Sequence, residues 1–293
     1  MSEIERYIAP KKLDDALEAL AGGPVTIVAG ATDLTPQITG GKLSYKATLM
    51  NIQHIEGLNA VTKKGGTKKD GKIRIGALVT VSEIRGNHML KNHAGILCQA
   101  ADHFASEQIR NAATIGGNIC NASPAGDMII PFLALGASAE LARWQDGSIE
   151  TRSVPLDEFF TGPGRNMARD DELLTAVTFD VPPENSIGLF RKSGPRPALE
   201  ISTVSMGISG ELTEGTLKNV RVAFGAVGPT ALRGKLTEAA LEGKILNQEV
   251  IQAAALAARK DVSPIDDIRA TKWYRTHLIG VFTEELLNNV CQN

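Results

Sequence analysis

The chain has 293 residues, 43% of them hydrophobic and 22% charged, which is the composition of a folded chain of one large or two smaller domains and excludes wholesale disorder. Lys and Arg number 31 against 33 Asp and Glu, so a net charge of −2 offers no general attraction to nucleic acid or anionic lipid. Cys98, Cys120 and Cys291 are far apart and odd in number, giving neither a disulfide framework nor a Cys-x-x-Cys metal pair. The start, Met1-Ser-Glu-Ile-Glu-Arg6, is charged where a signal peptide needs an apolar run. The longest apolar stretch, 128–139, is broken by Pro131 and Gly136 and falls short of the roughly 20 residues that cross a bilayer. The expectation is a cytoplasmic protein with no membrane insertion and no metal site of its own. Glycine is the unusual count: 29 residues without a repeat, which points to backbone held at positive φ or approached closely by something.

In chain order, Leu13, Ala16, Leu17 and Leu20 predict a helix stopped by Gly22-Gly23-Pro24. Residues 25–29 read as a buried strand feeding Gly30, and 47–51 as the next. Residues 58–62 and 72–76 predict a hairpin around a Lys- and Gly-rich turn at 63–71, and 88–103 a helix. A Gly- and Asn-rich loop then spans 111–127, before a helix from Asp127 to Leu135. Residues 137–144 and 149–154 predict a hairpin around Asp146-Gly147. A loop at 159–164 leads to a strand over 172–181. After Pro182-Pro183 the style changes: strands at 187–191, 201–212 and 218–226 precede helices at 248–260 and 267–290. Strands followed by helices predict an α+β fold, with a domain boundary near 180–186.

Neither a P-loop nor a Rossmann Gly-x-Gly-x-x-Gly is present. Two separate loops carry the candidate chemistry instead. The first, Ile27-Val-Ala-Gly-Ala-Thr-Asp-Leu34, runs a strand into small residues, and its successive N–H groups with the Thr32 hydroxyl suit an anion. It is equally readable as a plain strand-to-helix turn capped by Thr32 or Asp33. The second, Asn111 to Asp127, holds Thr114, Ile115, Gly116, Gly117, Asn118, Asn121 and Ser123. Its glycine pair would let backbone approach a ligand, and Asp127 would cap a helix or accept from ribose hydroxyls. The plainer alternative is a self-bonded polar loop with Asx turns. His88, His93 and His103 share no helical face, so they predict no metal site. Lys63, Lys64, Lys68 and Lys69 read as a solvated turn. Phe190-Arg-Lys-Ser-Gly-Pro-Arg196 gathers three cations, either a solvated strand end or a cationic wall for a redox ring.

These segments carry a resemblance. Ala29-Gly-Ala-Thr-Asp-Leu34 is similar to the A-G-G-T-D-L loop, and Gln108-Ile-Arg-Asn-Ala-Ala-Thr-Ile-Gly-Gly-Asn118 to the Q-I-R-N-x-A-T-I-G-G-N segment, of one family. Ser123-Pro-Ala-Gly-Asp127, Phe159-Phe-Thr-Gly-Pro-Gly164, Asp171-Glu-Leu-Leu174 and Phe190-Arg-Lys-Ser-Gly-Pro-Arg-Pro-Ala198 follow at matching spacing. The chain resembles, over residues 3–288, the FAD-binding medium subunit of the xanthine dehydrogenase and carbon monoxide dehydrogenase family of molybdenum hydroxylases.

That resemblance implies an FAD-binding domain of the PCMH type over 1–180, in two α+β subdomains of about 1–57 and 58–180. A C-terminal domain of sheet and helices would follow over 186–293. It implies that Ile27, Val28, Ala29, Gly30, Ala31, Thr32, Asp33 and Leu34 hold the FAD pyrophosphate together with Thr114, Ile115, Gly116, Gly117 and Asn118. Asp127, Leu174 and Lys192 would contact the rest of the cofactor, Lys192 near the flavin ring, and Phe104 would lie against the isoalloxazine unless it is helix core. Ala31 departs from the family's second glycine. The resemblance further implies an iron–sulfur small subunit carrying 2Fe–2S clusters and a molybdopterin large subunit as partners, with electrons passing through FAD to NAD or another acceptor. No catalytic residue is required of this chain. An FAD-free scaffold and a free-standing flavin oxidoreductase are the alternatives.

Overall fold

The computed structural model describes residues 4–65, 71–196 and 199–292. Lys68 and Lys69 of the predicted turn, and Pro197 and Ala198 of the last motif, lie outside the described residues. The first unit comprises β1 (Arg6–Ile8), α1 (Leu13–Ala21), β2 (Val25–Val28), α2 (Leu34–Thr39) and β3 (Thr48–Asn51). Its three strands are parallel in the order β1-β3-β2. The apolar stripe of α1 buries Ala16, Leu17 and Leu20 in one cluster with Met50 and Ile52.

The second unit opens with β4 (Val61–Lys64), β5 (Lys72–Gly76), α3 (Val81–Gly86), α4 (His88–His93), α5 (Gly95–Asp102), α6 (Glu107–Ala112), α7 (Ile115–Asn121) and α8 (Ile129–Ala134). It closes with β6 (Ser138–Gln145), β7 (Ser148–Pro155), α9 (Leu156–Phe159), β8 (Phe160–Gly162), β9 (Arg165–Asn166) and β10 (Leu173–Asp180). Five antiparallel strands run in the order β4-β5-β10-β6-β7, with β8 and β9 as a separate pair. The helix predicted over 88–103 is two helices, because Ala94 at φ −145° and ψ 51° breaks it. The predicted loop at 111–127 is partly helical, since Thr114 caps α7 by accepting from Gly117 N–H at 3.1 Å. Glycine is a poor helix former, so packing overrides local preference at 116–117. The predicted loop at 159–164 likewise supplies β8, which pairs tightly with β9 just beyond it.

The third unit comprises β11 (Ser186–Ser193), β12 (Val204–Thr213), β13 (Thr216–Gly225), β14 (Leu232–Arg233), α10 (Lys235–Leu241), α11 (Gln248–Asp261) and α12 (Lys272–Gln292). Its antiparallel sheet has the order β11-β12-β13-β14. The final helix starts at Lys272 rather than at the predicted 267, because Asp266 and Asp267 are taken up in turn and cap contacts, Asp266 Oδ1 accepting from Lys272 N–H at 2.6 Å.

Alternation along β12 decides how the units join. Val204, Met206 and Ile208 face the cluster shared with α11 and α12, while Ser205, Gly207 and Ser209 face the second unit. A Cβ on Gly207 would lie 3.1 Å from Ile130 Cγ2, so the small residue lets α8 settle onto the sheet. Ser209 Oγ donates to the Ala134 carbonyl at 2.5 Å, and the Gln99 amide both accepts from Phe190 N–H at 2.9 Å and donates to the Gly188 carbonyl at 3.1 Å. No helix among the described residues is long and apolar enough to cross a membrane.

Candidate functional site

Strand β2 delivers Ile27 and Val28, Ala29 and Gly30 leave the sheet, and Ala31 turns the chain at φ 56° before Leu34 opens α2. Neither Thr32 nor Asp33 caps that helix. Asp33 stands at the cap position without a cap bond, and its carboxylate accepts from the Gln37 amide instead. Among the described residues, the N–H groups of Ala31, Thr32, Asp33 and Leu34 donate to no protein acceptor. Successive open N–H groups at a strand-to-helix turn form a concavity suited to an anion.

The second segment is stitched to the strand-end residues after β5. Ile115 N–H donates to the Val79 carbonyl at 2.9 Å and Gly116 N–H to the Ala77 carbonyl at 2.8 Å. The two glycines have different reasons to be there. A Cβ on Gly116 would lie 2.8 Å from Ala77 Cβ, whereas one on Gly117 would meet only Thr114 Oγ1, at 3.0 Å. Gly116 therefore serves packing and Gly117 opens on free space. Beside it, Asn118 Oδ1 is buried and accepts no hydrogen bond. A buried, unmet acceptor is costly in a closed fold and calls for a donor from outside the chain.

The two loops meet. A Cβ on Gly30 would lie 1.8 Å from the Ala112 carbonyl oxygen, and Gln37 Nε2 donates to Asn121 Oδ1 at 3.0 Å. Neither contact was legible in the sequence, although Gln37 lies one helical turn beyond Asp33 and so shares its face.

A second cluster sits at the seam between the second and third units. Asp127 does not cap α8, whose cap position is Met128. It is instead buried, with Oδ2 accepting from Lys192 Nζ at 2.7 Å and Oδ1 from Ser202 Oγ at 2.5 Å. Lys192 Nζ also donates to the His103 carbonyl at 3.2 Å and the Glu200 carbonyl at 3.4 Å. Burial pushes the Asp127 carboxyl up, against the opposing pull of the Lys192 ammonium and the Ser202 hydroxyl. Phe104 follows His103 and packs at the edge of the second unit's core. Leu174 is 3% exposed and stands in the same core cluster as Ile115 and Ile119, so only its backbone is available to a ligand.

The three cations of 191–196 do not make a wall. Strand alternation turns Arg191 the other way, where it pairs with Glu285 at 3.3 Å over the Phe282 ring, while Arg196 donates to the Leu199 carbonyl. Lys192 alone faces the seam. Two cavities, of about 510 and 410 Å³, lie elsewhere, the larger beside Trp273 and His277 and the smaller beside Arg221, and neither is lined by a residue of the two loops. Among the described residues no group of three or more His, Cys, Asp or Glu is disposed to hold a metal ion.

Residues 2–182 match the family described as the FAD binding domain in molybdopterin dehydrogenase, and 190–290 the CO dehydrogenase flavoprotein C-terminal domain. The chain belongs to the FAD-binding subunits of the molybdenum hydroxylases. It is 31% identical over 290 residues to the xanthine dehydrogenase FAD-binding subunit of Escherichia coli O157:H7, covering 98% of this chain and 96% of that one. It is 30% identical over 284 residues to the nicotinate dehydrogenase FAD-subunit of Eubacterium barkeri, covering 94% and 93%. Carbon monoxide dehydrogenase from Hydrogenophaga pseudoflava superposes with a TM-score of 0.90 at 26% identity, covering 98% of this chain and 97% of that one.

This flavoprotein subunit is thus part of an oxidoreductase, built as an FAD-binding domain and a C-terminal domain. Its departure at Ala31 has a measurable consequence. The left-handed conformation costs a residue with a Cβ about 1–2 kcal/mol, while a glycine there adds about 0.4–1 kcal/mol of unfolded-state entropy. Ala31→Gly is therefore expected to raise stability by about 0.5–1 kcal/mol, read as a higher urea midpoint at unchanged m. Ser202 was invisible to motif reading, because a serine two residues past Glu200 carries no pattern.

Proposed function

We propose that this chain is the flavin-bearing electron-transfer subunit of a heteromeric molybdenum hydroxylase, working in the cytoplasm with an iron–sulfur small subunit and a molybdopterin large subunit. The observation that carries the reading is the meeting of the two loops. The open N–H groups of Ala31 to Leu34, the free space over Gly117 and the unmet Asn118 Oδ1 all belong to one backbone junction, pinned by Gly30 against Ala112 and by Gln37 on Asn121. The open N–H groups and the free space fit an FAD pyrophosphate, and the Asn118 acceptor fits a hydroxyl or amino donor elsewhere on the same cofactor. Ile27 to Leu34 and Thr114 to Asn118 would hold it, with Asp127, the Leu174 backbone, Lys192 and Phe104 toward the rest of the cofactor.

When bound, FAD would supply two-electron and one-electron redox chemistry, the kind needed between 2Fe–2S clusters on a partner and NAD or another acceptor. The protein's own part is position and electrostatics. Backbone donors at the first loop neutralise phosphate charge without a mobile cation. Gly117 keeps side-chain bulk out of that space. Lys192 fixes one positive charge at the seam between the domains, where it would favour the more negative, reduced cofactor.

The purified chain should take up FAD and show a flavin spectrum, and it should co-purify with a cysteine-rich small chain and a long molybdopterin-binding one. A colourless protein that takes up no added FAD would reject the cofactor assignment. A lone monomer turning over a small substrate would reject the subunit assignment.

A further inference from the structure

We propose that Ser202 is a positioning residue for the flavin site: its hydroxyl holds Asp127, and Asp127 holds the Lys192 ammonium against the turn that carries Phe104. The inference rests on the assignment of FAD above and adds to it a residue that touches no part of the cofactor.

An ammonium has three N–H donors, and those of Lys192 are matched by Asp127 Oδ2 at 2.7 Å, the His103 carbonyl at 3.2 Å and the Glu200 carbonyl at 3.4 Å. Three segments distant in sequence, 103–105, 127 and 192–202, thereby converge on one nitrogen whose side chain is 4% exposed. The turn bearing the His103 carbonyl is itself clamped. Arg110 Nη1 donates to the Phe104 carbonyl at 2.7 Å and to the Ala105 carbonyl at 3.0 Å, with Ala105 at φ 39°.

Ser202 is the far anchor of this chain of bonds. It is 1% exposed, and its hydroxyl occupies the Asp127 oxygen that Lys192 does not use. The next residue, Thr203, is pinned by Arg275, whose Nη1 donates to the Thr203 and Ala226 carbonyls at 2.8 Å each and whose Nη2 donates to Asp267 at 2.7 Å. The anchor is therefore rigid, and its single donated hydrogen bond favours the ionised carboxylate. The charged groups facing Asp127 are Lys192 from β11 and Glu200 from the following segment; the second unit presents the His103 carbonyl. Losing the Ser202 donor raises the fraction of neutral Asp127 and leaves the Lys192 charge less compensated beside the cofactor.

The test uses the full chain loaded with FAD and compares Ser202→Ala, Ser202→Cys and Ser202→Thr. Flavin affinity, midpoint potential and the pH dependence of that potential are read for each. Ser202→Ala should retain FAD while favouring the reduced over the oxidised cofactor about tenfold more than the native chain, which is about 30 mV for a two-electron couple. It should also show a proton-linked break in potential at a higher pH than the native chain. Ser202→Thr should restore native behaviour, and Ser202→Cys, a weak donor of similar size, should fall between. A merely structural role would lower the unfolding temperature and leave the potential and its pH profile unmoved. Native potential and pH profile in an FAD-loaded Ser202→Ala chain would overturn the proposal and leave the cofactor assignment standing; failure of the native chain itself to bind FAD would overturn both.

Discussion

Replacing Lys192 with methionine should destabilise the fold by about 3–5 kcal/mol, the cost of leaving one member of a buried ion pair alone. The side chains of Lys192 and Asp127 are 4% and 7% exposed, so solvent does little to screen either charge. Methionine fills the lysine stem's volume, which confines the effect to the lost ammonium. Burial already holds the Asp127 carboxyl above its ordinary 3.8, with Lys192 and Ser202 pulling it down; without Lys192 the upward push grows. A carboxyl whose folded pKa exceeds its unfolded one binds more protons in the folded state, so its contribution is full at acid pH and is lost as pH rises through the folded value. The variant's deficit is therefore largest where Asp127 is ionised, at the higher pH values, and shrinks as the pH falls and Asp127 is protonated. Adding Asp127→Asn should recover most of the loss, since the pair is then replaced by two neutral groups. Urea unfolding of the single and double variants as a function of pH checks the prediction. A deficit under 1 kcal/mol with no pH dependence would show that water reaches the pair.

Local pattern carried some elements faithfully and failed where tertiary contacts decided the outcome. The stripe of Leu13, Ala16, Leu17 and Leu20 predicted α1 because burial of one face is written into residue spacing. The Asp146-Gly147 turn likewise predicted the pairing of β6 with β7. Helix α7 was hidden, since two adjacent glycines argue against a helix unless Thr114 caps it and Ala77 supports it from outside. The same limit shaped the site. Short polar residues and glycines marked both loops, but nothing in their composition said that Gly116 packs inward while Gly117 opens outward. The cation cluster at 191–196, readable in sequence as a solvated strand end or as a cationic wall, makes no wall for a simpler reason: adjacent strand residues point to opposite faces, so Arg191 and Lys192, neighbours in sequence, part in space. Asp127 drew notice as a helix opener, whereas its actual role depends on Ser202 and Lys192, which only the folded sheet brings to it.

Gly30 and Gly117 should fail in different ways when given side chains. A Cβ at Gly30 would overlap the Ala112 carbonyl oxygen at 1.8 Å and its carbon at 2.6 Å, both backbone atoms that cannot rotate away. Gly30→Ala therefore has to separate the loops, losing the Gln37–Asn121 bond with them and costing at least about 2–3 kcal/mol, the scale of a severely overpacked site. FAD binding should fall together with stability. At Gly117 the first added carbon meets only the Thr114 hydroxyl, at 3.0 Å, and valine suits a helix no worse than glycine does. Gly117→Val should accordingly unfold within about 1 kcal/mol of the native chain. Its branched side chain nevertheless fills the space over the loop junction, and the purified variant should be colourless. Flavin content by absorbance, set against urea midpoints for both variants, separates the two outcomes. A stable Gly117→Val chain with full flavin would place the pyrophosphate elsewhere, whereas joint loss of flavin and stability would mean that this glycine, like Gly30, is part of the packing.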